Sequence, residues 1–224
     1  MRIVIFIFTS FLMNAENFKS FEAEFTFNHF EFGKFKMNRK FEVTDEYIYS
    51  SFKLRPLLIF EYSQKSSLKL NSYQVLSNRT EVKNNVPGVD PSFFAVDFSE
   101  NAAYSKELNF NISGSQPILD QLGSDLQMRV NAKNKIQNFT LEVIDNDKGN
   151  VVSRNYVNEG FEEVETSFGV FNCIKISATA VDAGKIIYYL APELDYLIIK
   201  SLVELKNGKI NTLTINKRPK FSAK

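Results

Sequence analysis

From residue 21 the chain alternates, with Phe21, Ala23, Phe25 and Phe27 on one side of an extended segment and Glu22, Glu24, Thr26 and Asn28 on the other. A period of two marks a β-strand with one wet face. The next segment repeats the pattern: Phe35, Met37, Phe41 and Val43 share one face, and Lys34, Lys36, Asn38, Lys40 and Glu42 the other. Arg39 is the one exception on the apolar face. Gly33 sits between the segments as a turn residue, which makes them a hairpin. The large apolar side chains of this hairpin, Phe25, Phe27, Phe35, Met37 and Phe41, are the candidate ligand-facing surface.

Further strands are expected over 47–52, 57–62, 68–76 and 93–98, the last among loops marked by Pro87-Gly88, Asp90-Pro91, Gly114 and Pro117. The period then changes. Leu119, Leu122, Leu126 and Val130 recur at three- and four-residue spacing, with Ser115 and Pro117 placed to open a helix, so one amphipathic helix is expected over 117–130. Strands resume at 139–144, 151–157, 164–168, 171–180 and 186–190. A last hairpin joins 197–205 to 210–215 across Asn207-Gly208, a pair suited to a two-residue type I′ turn that sets Leu205 opposite Ile210 and Leu202 opposite Leu213. Both faces of that hairpin are then partly apolar, so something must cover the second face. The expected fold is mainly β: one strongly curved antiparallel sheet, a half-barrel or open barrel, with the helix covering one face. No internal repeat at solenoid or propeller periods interrupts it.

Composition supports a sheet protein, because 22 Phe and 9 Tyr stand in 224 residues that hold no Trp. That length suits a single domain. Arg2 followed by an apolar run over 3–13 reads as a signal peptide, too short to span a bilayer, with cleavage placed after Ala15 despite the large Met13 two residues before it. The alternative for this run is a buried first strand. Removing residues 1–15 takes away Arg2 and leaves equal numbers of basic and acidic side chains. A neutral chain argues against a nucleic-acid partner. Cys173 is the only cysteine, so neither an internal disulfide nor a lipid-modified Cys is expected. A periplasmic protein with no membrane span after signal cleavage, a single domain over 16–224, fits best.

The candidate chemistry is sparse. His29, the only histidine, follows Phe25 and Phe27 near a turn, and no G-x-S-x-G or H-E-x-x-H pattern accompanies it. Cys173 between Phe171 and Ile174 reads as a buried, inert thiol. Residues 145–149 (Asp-Asn-Asp-Lys-Gly) resemble a calcium loop only loosely, since the Gly comes one place early and Tyr156 stands where a bidentate Glu belongs; a hairpin turn explains them better. Glu163 and Glu165, roughly 7 Å apart on one strand face, have the spacing of a carboxylate pair, with solvated charges as the simpler account. Lys217, Arg218, Lys220 and Lys224 form a basic tail suited to anionic headgroups or to plain solubility. No catalytic residue, metal site or cofactor is expected.

Residues 165–171 (Glu-Thr-Ser-Phe-Gly-Val-Phe), Ile174-Lys175-Ile176, and 189–197 (Tyr-Leu-Ala-Pro-Glu-Leu-Asp-Tyr-Leu) resemble the exported bacterial family of domain of unknown function 3108 (DUF3108). Asp120-Gln121-Leu122-Gly123 and Gln127-Met128-Arg129 are similar to the start and close of that family's helix. Ile198 stands where the family has Pro, and Tyr188 or Tyr189 where it has Trp. The resemblance implies a periplasmic, curved sheet wrapped around a helix, in the style of lipoprotein carriers, and carries no activity.

Three functions follow as expectations. In the first, a non-enzymatic envelope protein holds a lipid, lipoprotein or other amphiphile in the concave sheet. In the second, an assembly factor has its interior filled by Phe and acts through an envelope protein partner. The third and weakest is a polysaccharide-acting enzyme using Glu163, Glu165 and a Tyr.

Overall fold

A computed structural model describes residues 18–55, 60–85, 90–145, 150–180 and 184–222. The signal-peptide segment 1–15 and the first residues of the strand expected at 57–62 lie outside these. The chain runs through β1 (Phe21–His29), β2 (Gly33–Val43), β3 (Ile48–Leu54), β4 (Tyr62–Asn71), β5 (Gln74–Asn84), β6 (Phe93–Ser99), β7 (Ala102–Ser105) and β8 (Phe110–Ser113). A two-residue strand β9 (Ile118–Leu119) leads into α1 (Gln121–Lys133). Then come β10 (Asn138–Asp145), β11 (Asn150–Thr166), β12 (Gly169–Ala180), β13 (Ile186–Ala191), a 3-10 turn (Pro192–Leu194), β14 (Leu197–Glu204), β15 (Ile210–Ile215) and β16 (Lys220–Phe221).

All of these strands belong to one sheet, ordered β8-β7-β6-β5-β4-β3-β2-β1-β15-β14-β13-β12-β11-β10-β9, with β16 continuing along β1. Neighbours are antiparallel except for β9, which lies parallel to β10 through Ile118↔Glu142 and Leu119↔Val143. The two ends of the sheet are β8 and β9. They close on each other by packing rather than by a ladder: Val82, Phe94, Val96, Phe98 and Ala103 from β5–β7 meet Ile118 and Ile144 from β9 and β10 in one apolar cluster. The result is a nearly closed, barrel-shaped sheet with α1 inside, and the expected mainly-β fold class holds.

The β1–β2 hairpin forms with the expected faces, and its register pairs Phe21↔Phe41, Phe25↔Met37 and Phe27↔Phe35; its turn is 30–32, so Gly33 is not a turn residue but opens β2 opposite His29. Several other details differ. Residues 68–76 are not one strand, because the chain turns at Ser72, which has a positive φ, and passes from β4 to β5. The strands expected at 151–157 and 164–168 are a single β11 whose register slips between Asn158 and Phe161, a bulge that moves the apolar set out of phase and so hides the continuity. In the last hairpin, Ile210 faces Glu204 and Leu213 faces Ser201. Its turn holds three residues rather than two: the Gly208 N–H donates to the Leu205 carbonyl, and Gly208 alone takes a left-handed φ. The extra residue shifts the register by one from that of a type I′ turn, and a one-residue shift exchanges faces.

The helix starts at Gln121, not at 117, because Asp120 caps it: its Oδ1 accepts from the Leu122 and Gly123 N–H groups at 2.7 and 3.0 Å. Pro117 precedes the short β9. Nor does α1 cover one face only. Every residue from Leu122 to Ala132 is buried, the polar ones included, because strands surround the helix instead of lying on one side of it.

Candidate functional site

Phe25, Met37 and Phe41 are buried on the inner face, and Phe27 and Phe35 are half-buried toward the β1–β2 turn. Phe21 stacks on Phe41 with ring centroids 5.3 Å apart. Over these rings lies the Arg129 guanidinium from α1, 4.4 Å from the Phe18 ring, 4.7 Å from Phe41 and 5.5 Å from Phe21. A planar cation on aromatic faces is favourable where water is excluded. The aromatic platform therefore already holds a side chain of this protein.

Arg129 also donates to the Asp195 carbonyl at 3.0 Å and reaches its Oδ2 at 3.4 Å. Asp195 and Tyr196 are consecutive non-glycine residues at φ 57° and 58°, a conformation that costs energy unless its surroundings enforce it. Arg129 and the Lys19 N–H, 2.7 Å from Asp195 Oδ2, provide that enforcement. Burial lowers the Arg129 pKa to about 10, with Asp195 opposing the shift. It still carries its charge at neutral pH.

A second buried charge pair ties the helix to β2: Arg39 Nη2 lies 2.9 Å from Asp125 Oδ2. Arg39, the exception in the alternating pattern of β2, points inward because Asp125 waits there. A third group, Asp120, is fully enclosed. Its Oδ1 accepts from Gln64 Nε2 (3.1 Å) and Ser66 Oγ (2.9 Å) as well as from the helix, and its Oδ2 accepts from Ser77 Oγ (2.8 Å). Burial pushes this carboxyl above its ordinary range, against the pull of the hydrogen bonds from Ser77, Gly123, Ser66 and Leu122. Gln127 completes the set, accepting from the Val75 N–H at 2.7 Å and donating to the Tyr73 carbonyl at 2.8 Å. It thus caps part of β5 that has no partner strand on that side.

The interior is consequently polar in patches, its buried charges met by side chains and backbone of the sheet, which a search for apolar periodicity overlooks. Arg39 was the available signal, together with Gln64, Ser66 and Ser77 at positions where inward-facing strand residues are usually apolar.

The remaining singled-out residues lie apart from this network. His29 Nδ1 accepts from the Glu31 and Phe32 N–H groups at 3.2 and 3.3 Å and closes the β1–β2 turn. Cys173 is buried, with its thiol pushed up to about 12 by burial and by the nearby Glu193 and Glu162. Glu163 and Glu165 are exposed on β11. The carboxylate that meets a tyrosine is instead Glu162, whose Oε1 accepts from the Tyr189 hydroxyl at 3.1 Å and whose Oε2 pairs with Lys175 at 2.9 Å. Among the described residues no cluster of three or more His, Cys, Asp or Glu side chains is placed to hold a metal, and no helix is long and apolar enough to cross a membrane.

Recesses open to the surface at several places among the described residues. One, of about 400 Å³, lies at the seam between the β4–β5 turn and β10, with Tyr73, Val75, Leu119, Phe139 and Leu141 around it and Gln127 and Asn131 among its lining. Another, of about 740 Å³, is a groove lined mostly by outward-facing residues of β1–β6, with 217–220 contributing to its border.

The fold is similar to the crystal structure of a beta-barrel-like protein of domain of unknown function DUF1849 from Brucella abortus. The TM-score is 0.65 at 10% sequence identity, over 93% of this chain and 100% of that one. No family model matches this chain, and no curated protein matches it. The DUF3108 resemblance is thereby overturned. Its motifs lie at local turns: Thr166 to Gly169 is the β11–β12 turn, where the Thr166 hydroxyl donates to the Gly169 carbonyl, and 192–195 is the 3-10 turn before β14. Such turns recur wherever antiparallel strands reverse, so they report a type of fold and not a family. At 10% identity the likeness to the DUF1849 protein carries the barrel-like fold and nothing further.

Proposed function

We propose that this protein is a non-enzymatic component of the cell envelope whose helix-filled barrel takes no ligand in its interior and which acts through its outer surface on an envelope partner. The observation that carries this reading is α1, buried from Leu122 to Ala132 and bound to the sheet on several sides by Asp120, Asp125, Gln127 and Arg129. An acyl chain entering the sheet would have to displace Arg129 from its rings and leave buried charges unpaired, each loss costing several kcal/mol. The amphiphile-carrier reading retains one support, the recess at the seam, whose about 400 Å³ lies at the small end of ligand pockets.

Native mass spectrometry with solvent extraction, on protein purified from the envelope fraction without detergent, separates the two readings. A clean apo mass is expected, and a stoichiometric co-purifying amphiphile overturns the filled-interior reading. The same spectrum reports export: a mass corresponding to an amino terminus at Glu16 supports it, and a retained Met1 in the cytosolic fraction contradicts it.

A further inference from the structure

We propose that the outer groove is a binding site for an acidic polysaccharide carrying about one anionic group per disaccharide. The inference rests on the surface-acting reading above and adds the chemistry of the partner.

Strand register builds the site. Lys40, Ser51 and Lys65 are successive cross-strand neighbours on β2, β3 and β4, and Lys53, Ser63 and Lys83 are successive neighbours on β3, β4 and β5. Each row therefore reads cation, hydroxyl, cation, and all six residues line the groove. The two lysines of a row stand two strands apart, about 10 Å at the backbone, and the rows are separated by roughly 7 Å along the strands. Three of the four acids on the lining are engaged, Glu24 with Lys217 at 3.5 Å, Glu61 with Lys53 at 2.5 Å and Glu81 with Arg79 at 3.2 Å, and Glu22 has no ion pair among the described residues. Lys65, Lys83 and Arg218 have no ion pair among the described residues, so the groove keeps an uncompensated positive charge.

This arrangement selects among anions. Lysines spread over two rows and four strands extend beyond what one free phosphate can occupy, so an extended polyanion uses more of them at once. A bilayer surface is flat and does not enter a groove bordered by the 217–220 segment. Nucleic acid strands are held by successive stacked aromatics, whereas Phe93 is the one exposed aromatic side chain on the lining. A charged glycan satisfies each feature. Its anionic groups, one to every two rings, recur at about the distance between the two lysines of a row, its hydroxyls meet Ser51 and Ser63 between those lysines, and its rings lie on the apolar lysine stems.

The test is isothermal titration of the mature protein with a hyaluronate decasaccharide at low and high salt, with neutral dextran, inorganic polyphosphate and phosphatidylglycerol vesicles as comparisons. Binding of hyaluronate that weakens with salt is expected, with a loss of roughly tenfold or more in the Lys65→Glu/Lys83→Glu variant. The Lys34→Glu/Lys36→Glu variant, with the same change in net charge on β2 outside the groove, should bind like the wild type. Circular dichroism monitors folding, and Lys65→Gln/Lys83→Gln replaces the charge-reversed variant if that one does not fold. No hyaluronate binding, equal loss in both charge-reversed variants, or tighter binding of polyphosphate or vesicles overturns the assignment. The mass spectrum above reports the interior independently, so the groove can fail while the filled-barrel reading stands.

Discussion

Asp120 concentrates three tasks in one carboxylate: it caps α1, gathers Gln64, Ser66 and Ser77, and is fully enclosed. Replacing it with Ala removes the cap and strands several buried donors, a loss of roughly 2–4 kcal/mol that urea unfolding would read. Its raised pKa fixes the sign of a pH effect. The folded state binds the proton more tightly than the unfolded chain, so this contribution is fully present below the ordinary carboxyl value of 3.8 and is lost as pH rises through the raised one. Asp120→Asn keeps a capping side chain and should flatten that dependence; an unchanged profile between wild type and variant contradicts the assignment. Arg39 and Asp125 form the other residue-scale test. Arg39→Met leaves Asp125 buried and unpaired, at a cost of about 3–5 kcal/mol, whereas Arg39→Met with Asp125→Leu should recover most of it, because a buried pair often stabilises little over a well-packed apolar one. A double variant as unstable as the single would mean that the pair does more than neutralise itself.

At the scale of elements, α1 is placed by a close approach. A Cβ on Gly123 would meet Ser77 Oγ at 2.7 Å. Ala favours a helix over Gly by about 1 kcal/mol, but the added methyl would drive Ser77 off Asp120, with overpacking of roughly 1–3 kcal/mol. Gly123→Ala is therefore expected to lower Tm in a thermal scan despite its better helix propensity; a rise would show that Ser77 rotates away freely. The elements were legible in unequal measure. In hairpin β1–β2 strict alternation specified both faces, whereas the turn falls at 30–32, just before the Gly33 that marked it. The last hairpin was read one residue out of register, because Asn207-Gly208 serves a two-residue turn and a three-residue turn alike, and only packing beyond the turn selects between them. In β11 the bulge at Asn158 to Phe161 broke one strand's pattern into two.

For the whole molecule, closure depends on side chains rather than on a ladder, which places the weakest part of the barrel at the seam. Ile118→Ala or Ile144→Ala should cost about 2–5 kcal/mol and accelerate hydrogen exchange in β6–β8 before the rest of the sheet. Uniform acceleration across the molecule would argue that the seam opens only with global unfolding. The sequence by itself determined the mainly-β class, the inward set of Phe21, Phe25, Met37 and Phe41, and the presence of one helix, because alternation and three-to-four spacing follow directly from backbone geometry. Only the tertiary structure decided that the helix lies within the barrel, that Arg39 and Asp125, Arg129 and Asp195 are partners, and that lysines from several strands share one groove. Those partners stand tens of residues apart in the chain and meet across strands whose order is set by the packing of the whole sheet, and a local pattern contains no term for such a meeting.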